Sequence, residues 1–306
     1  MASPGKEVSM FLSTTPRRVS FRIVAGAAFL LSANGCVNPE DAAGLSRLSH
    51  EARISLPRVS NDVAGTCARQ NAFFENTPPA ERPAAEQAQD CKPYQEIADH
   101  LAKDENVLAD YFDALGKLAS NEPLSYDATI EENVAASKLN SALSANTLSA
   151  GNDAQRILKS LADAVTKGYR EKQLGQLIQQ DDAAIQSLTQ ALKKVITADY
   201  ALLLSNEEVS LDTFYKAPMA GAQPTERLTL ILVQRQYAHD KAALQFRKED
   251  IAAYSRVMDD IAALHAKLKQ DSAKKVSMVE IDKQVGPIIR SIINALSDIQ
   301  SRSNKS

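Results

Sequence analysis

A seven-residue repeat in the C-terminal half limits this chain more than any other feature. Tyr237, Leu244, Ile251 and Met258 recur every seven residues, and Tyr254, Ile261 and Leu268 do the same three places on. An α-helix keeps such a set on one face, and a strict heptad winds that face gently around a partner. Thr225 can cap the helix, which is expected to reach about Gln270, roughly 70 Å at 1.5 Å per residue. Pro218, Gly221 and Pro224 make 217–224 the strongest turn signal in the chain. Before that turn Ile185, Leu188, Leu192, Val195, Leu202 and Val209 advance by threes and fours. The spacing predicts a long antiparallel helical hairpin over 182–271.

Four polar residues fall on its seam: Asp199, Asn206, Asp240 and Arg247. Pairing outward from residue 221 sets Asn206 opposite 232–236 and Asp199 near 240–244. A buried ion pair or amide there fixes register at some cost in stability. The alternative is a polar notch for a ligand.

The rest of the chain is also helical in pattern. Tyr94, Ile97, Ala98, Leu101, Leu108, Tyr111, Phe112, Leu115 and Leu118 mark a helix over 92–120, opened by Pro93 and closed by Asn121 and Pro123. A weaker, peripheral helix is expected over 125–148. Gly151-Asn152-Asp153 reads as a breaker, and a helical pattern runs from 154 to 216, with Asp181-Asp182 as a fresh N-cap. The last helix, 277–301, carries Gly286-Pro287, expected to kink or split it, and then the stripe Ile288, Ile289, Ile292, Ile293, Leu296, Ile299. Trp is absent and aromatics are scarce, which favours helix over sheet. The expected class is all-α, an elongated helical bundle built on a long antiparallel coiled-coil-like hairpin.

The N-terminal stretch is of another kind. Arg17, Arg18 and Arg22 lead into the apolar run 23–31 and then Ala33-Asn34-Gly35-Cys36. A basic region, a short apolar core and small residues at a cleavage point make a secretory signal. The run is too short to span a bilayer as a helix. Cys36 after small residues resembles the lipobox of bacterial lipoproteins, with Ala33 where that family usually carries Leu. The resemblance implies that Cys36 is acylated, becomes the N-terminus and anchors the chain. Val37 stands where an Asp retains such proteins in the inner membrane of enteric bacteria, which implies an outer-membrane lipoprotein facing the periplasm. A plain signal peptide cut nearby, leaving a soluble periplasmic or secreted protein, is the alternative. Translation from Met10 instead of Met1 leaves a signal of ordinary length. A twin-arginine route lacks its Phe at Ser20, so general secretion is expected. The segment from Tyr94 to Ser120 also resembles uncharacterised helical lipoproteins of proteobacteria, and brings no activity with it.

The expected organisation is a signal peptide over 1–35, a tether over 36–66 with one short helix at 39–54, and a helical domain over 67–306. With Cys36 assigned to lipid, Cys67 and Cys91 are an even pair in an oxidising compartment. A disulfide between them encloses Pro78, Pro79 and Pro83 in an Ω-like loop anchored by Phe73 and Phe74, contributing about 3–4 kcal/mol on loop entropy. Two separately buried thiols are the alternative.

The formal charge is −3; removing 1–35 leaves 31 Lys and Arg against 37 Asp and Glu, or −6. Such a chain is not built to hold nucleic acid, and no basic face for anionic lipid emerges. The four histidines, His50, His100, His239 and His265, include no pair at metal-ligand spacing, and His265 simply continues the seam. The pairs Asp181-Asp182 and Asp259-Asp260 diverge on a helix and suit a solvated face better than acid–base work. No phosphate-binding glycine loop or nucleophile elbow appears. The expectation is a lipid-anchored envelope protein with a structural or protein-interaction role, an envelope protein as partner, no cofactor and no catalysis. A helical pore-forming or membrane-remodelling protein, using 228–233 or 288–299, and a ligand-binding bundle are the alternatives.

Overall fold

A computed structural model describes residues 39–77, 88–124, 145–169, 171–274 and 278–303. The leader, Cys36, the three loop prolines and most of the 125–148 helix lie outside them. All described residues belong to the compact unit Gly35–Ser306. The fold is all-α: α1 (Pro39–Asn76), α2 (Lys92–Ala119), α3 (Ala145–Thr166), α4 (Leu174–Lys194), a π-helical segment (Val195–Tyr200), α5 (Ala201–Gly221), α6 (Arg227–Ala273) and α7 (Met278–Ser303).

The stretch expected to be a tether is instead the first core helix. Leu45, Leu48, Ala52, Leu56, Val59, Val63 and Cys67 lie buried along α1 at steps of three and four. Small Ser residues share that face, Ser49, Ser55 and Ser60, which hides the stripe from a reading that looks for large apolar groups. Cys67 is therefore helical, and the disulfide ties α1 to the start of α2 with Cα atoms 5.7 Å apart. Asn71 reinforces the tie, its amide exchanging hydrogen bonds with the main-chain N–H and C=O of Gln89.

α2 packs antiparallel along α1, where Arg53 pairs with Asp110 and the Ser60 hydroxyl donates to Glu105. α3 lies against α2 and α4. Gly151-Asn152-Asp153 does not interrupt α3; Asp153 is buried within it. The break comes later, at Gly168, whose φ of +63° suits a residue without Cβ. α4 and α6 run antiparallel, joined by Gln179 to the Lys269 carbonyl, Gln186 to the Ala262 carbonyl and Lys193 to Asp259. α7 covers α6 and α1, with Arg302 on Asp250 and Ser291 on Asp260. Gly286-Pro287 does not split α7. One continuous core unites all these helices, with Tyr111, Phe112, Tyr200 and Tyr254 its largest fully buried side chains.

Candidate functional site

The π segment decides where the polar groups of the hairpin go. A π turn holds one residue more than an α turn, so the helix beyond it is rotated by one position. Upstream, Ile185, Leu188, Leu192 and Val195 are buried on the expected seam. Downstream, the buried set is Tyr200, Leu203, Leu204, Glu207, Leu211 and Tyr215. Leu202 and Val209, expected on the seam, are 63% and 58% exposed. Asn206 is exposed with them, and Asp199 is half-buried within the π segment itself. Neither is a register residue: the extra residue carries them off the seam and puts Tyr200 and Glu207 in their place.

Glu207, 1% exposed, is the centre of a polar layer. Arg247 Nη2 lies 2.5 Å from its Oε1, and Arg69 Nε donates to the same oxygen at 2.8 Å. Arg69 also holds Asp62 through Nη1 and Nη2 at 2.9 and 2.7 Å. Tyr200 donates its hydroxyl to Asp62 at 2.6 Å, and Arg247 Nε faces Asp62 at 3.6 Å. Asp62, Thr66 and Arg69 share one face of α1 at i, i+4 and i+7, so one stripe supplies half the layer. Two carboxylates and two guanidiniums balance in charge. Burial, and then the neighbouring Asp62 charge, push the Tyr200 phenol up, so it stays a donor. The layer's ion pairs connect α1, α5 and α6.

Arg247 therefore sits on the seam as expected, with a partner that sequence reasoning missed. Asp240 is half-buried and accepts from Tyr215 at 2.5 Å across the hairpin. The four seam residues are not brought together. The register also differs: Glu207 meets Arg247 and Glu208 meets Lys248, so Asn206 lies about four helical turns further along α6 than expected. The cause is that α5 continues through Pro218 to Gly221, and the reversal is made by Ala222–Glu226.

A second buried chain links α2, α4 and α6. The Tyr111 hydroxyl is 2.7 Å from His265 Nε2, His265 Nδ1 is 3.1 Å from Asp182, and Lys269 donates to the other Asp182 oxygen at 2.5 Å. A carboxylate only accepts, so Nδ1 carries the proton and Nε2 accepts from tyrosine. Burial lowers the His265 pKa against the pull of Asp182, keeping the ring neutral. Burial works against the Asp182 charge too, but Lys269 and His265 outweigh it and hold this carboxyl below its usual range. The pair Asp181-Asp182 is thus no helix cap: Asp181 is buried inside α4, pushed up to about 7 by burial. Tyr111 and His265 have no exposed surface, so the chain orients helices and presents no nucleophile.

Surface clefts lie on this body among the described residues. One of about 180 Å³ is lined by Gln70, Asn71, Phe74, Gln89, Asn206 and Val209. A groove of about 600 Å³ follows α4 and α6 past Lys193, Thr197 and Asp259. Among the described residues no cluster of His, Cys, Asp and Glu could hold a metal ion.

Among the described residues, the end of the hairpin holds three of the exposed large apolar side chains, Leu228, Ile231 and Leu232. Tyr215 on Asp240 and Asp212 on Tyr237 and Lys241 are the outermost ties between α5 and α6. In that register Gly221, the last residue of α5, is level with about residue 233, so the first two turns of α6 overhang it. Ala222 and Gln223 are extended and carry the chain out to the overhang. Leu228 and Leu232 are 72% and 56% exposed there, with Ile231 between them. The stripe from Ile288 to Ile299, by contrast, is core: Ile289, Ile292, Ile293, Leu296 and Ile299 are all buried. Among the described residues no helix is long and apolar enough to cross a membrane. No family model, curated protein or solved structure matches the chain.

Proposed function

We propose that this is a lipid-anchored protein of the bacterial envelope, held at the outer membrane through Cys36, whose helical body serves as a structural strut and interaction element. The observation that carries this reading is the position of the two ends of α1. The helix begins at Pro39, close after Cys36, and runs about 50 Å to Phe73. Phe73 packs on Phe214 and Tyr215, at the foot of the overhang. The start of α1 and the foot of the overhang thus lie at opposite ends of one helix. The polar layer at Glu207 and the Tyr111–His265–Asp182 chain support the same role, because groups paired in this way hold helices in fixed relation and leave little free for chemistry. An envelope protein packing on the exposed Leu202 and Val209 would complete the assembly. We assign the protein no reaction and no cofactor.

The test is the intact mass of the protein recovered from the membrane fraction. The expected mass is that of residues 36–306 plus glycerol and three acyl chains, less the hydrogens lost in one disulfide. Cys36→Ser should abolish acylation and the processing that follows it. An unlipidated mass of the wild-type chain, or unchanged processing of Cys36→Ser, overturns the anchor.

A further inference from the structure

We propose that the overhang of α6, from Arg227 to Arg235, docks onto a bilayer surface carrying anionic headgroups. The proposal deepens the envelope reading but does not depend on a lipid at Cys36. Leu228, Ile231 and Leu232 stand at i, i+3 and i+4 on one face and are all exposed, with Leu230 and Val233 half-buried beside them. Five of the six residues from 228 to 233 are apolar. A helix lying in a bilayer surface buries such an apolar face about 5–10 Å into the headgroup boundary.

The charges complement such a surface. Arg227 and Arg235 bracket the apolar turns, both are exposed, and neither has an ion pair among the described residues. Glu226, the one acid from 222 to 236, accepts from the main-chain N–H of Gln223 at 2.8 Å. Over 222–236 two arginines stand against one glutamate, a local charge of +1 in a chain of net −3. Net charge read over the whole chain conceals this segregation. Arginine stems can lie along the apolar turns while their heads stay with phosphate.

The test reads the overhang directly, in the full chain carrying Cys36→Ser so that no acyl group contributes. Leu232→Cys is labelled with an environment-sensitive nitrobenzoxadiazole probe; Cys67 and Cys91 remain bonded to each other. The control probe is at Ser301→Cys, an exposed site on α7. Vesicles of phosphatidylcholine containing phosphatidylglycerol should shift the Leu232 probe to the blue and leave the Ser301 probe unchanged. Phosphatidylcholine alone should do neither. Arg227→Gln with Arg235→Gln should weaken the response about thirtyfold at low salt. An unshifted Leu232 probe, or an equal shift with neutral vesicles, overturns the proposal; the mass of lipidated Cys36 tests the anchor separately.

Discussion

Glu207 and Arg247 meet 2.5 Å apart on the hairpin seam, forty residues apart in sequence, with Arg69 of α1 closing on the same carboxylate. Removing one partner of a buried pair leaves the other charge desolvated and unpaired, which typically costs about 3–5 kcal/mol. Arg69 still holds Glu207 when Arg247 is lost, so Arg247→Met should destabilise by about 3 kcal/mol, at the low end. Combining it with Glu207→Leu removes both charges and should recover most of that loss. Urea unfolding of the single and double variants measures the difference. Equal destabilisation by both would mean that the pair does not act as a unit.

The hairpin shows how far sequence could carry the reading. Its heptad on α6 is regular, and Leu244, Tyr254, Met258, Ile261 and Leu268 are buried as the spacing requires. Arg247 was legible as a polar residue on that seam. Its partner was not, because the pattern of α5 is readable in two frames. Leu202 and Val209 continue the upstream steps, while Leu204 and Leu211 make an equally regular stripe displaced by one or two places. Periodicity alone cannot choose between them; burial of Tyr200 and the charges waiting on α1 do. The α1 half of the polar layer was missed for a related reason. Asp62 and Arg69 have the right spacing, but a stripe rich in Ser and Ala looks like a tether until α2 is laid against it.

The disulfide and the Asn71 clamp fasten the same segment to α1, so their contributions can be separated. Closing the loop from Cys67 to Cys91 is worth about 3.5 kcal/mol on chain entropy alone. Cys67→Ala with Cys91→Ala should lower unfolding stability by about 3 kcal/mol while leaving helix content intact, because Asn71 still holds Gln89. Adding Asn71→Ala should then cost a further ~1 kcal/mol. Circular dichroism through a urea titration reads both steps; helix loss in the double cysteine variant without denaturant would contradict them.

Buried acids make the fold sensitive to rising pH. Glu105, enclosed by Ser60 and Tyr254, is pushed up to about 8 by burial despite their hydrogen bonds, and Asp181 to about 7. Unfolded, both groups lose their protons near pH 4. Between about pH 4 and 8 the unfolded chain thus binds fewer protons than the folded one, and stability falls as pH rises. The slope should approach 1.4 kcal/mol per pH unit for each group still protonated when folded, an upper bound of about that size. Glu105→Gln should flatten the curve above about pH 5, as followed by urea midpoints at successive pH values. A wild-type curve that rises with pH over this range would show that Glu105 is charged in the folded protein.

The π segment offers the sharpest check on the hairpin, because it accounts for one residue of phase. Ala198 is exposed within it, and deleting that residue should let α4 and α5 join as one ordinary helix with both buried stripes aligned. Inserting an alanine after Ala198 does the reverse, turning α5 by about 100° so that Glu207, Leu211 and Tyr215 leave the core. The deletion should stay within about 1 kcal/mol of the parent and the insertion should unfold the hairpin. Substitutions test the same phase without changing length. Leu204→Ala and Leu211→Ala should each cost about 2–5 kcal/mol, and Leu202→Ala and Val209→Ala no more than about 0.5. If the deletion proves as damaging as the insertion, or Leu202→Ala as costly as Leu204→Ala, then α5 packs in the continuous frame and the exposed stripe beside Asn206 is core.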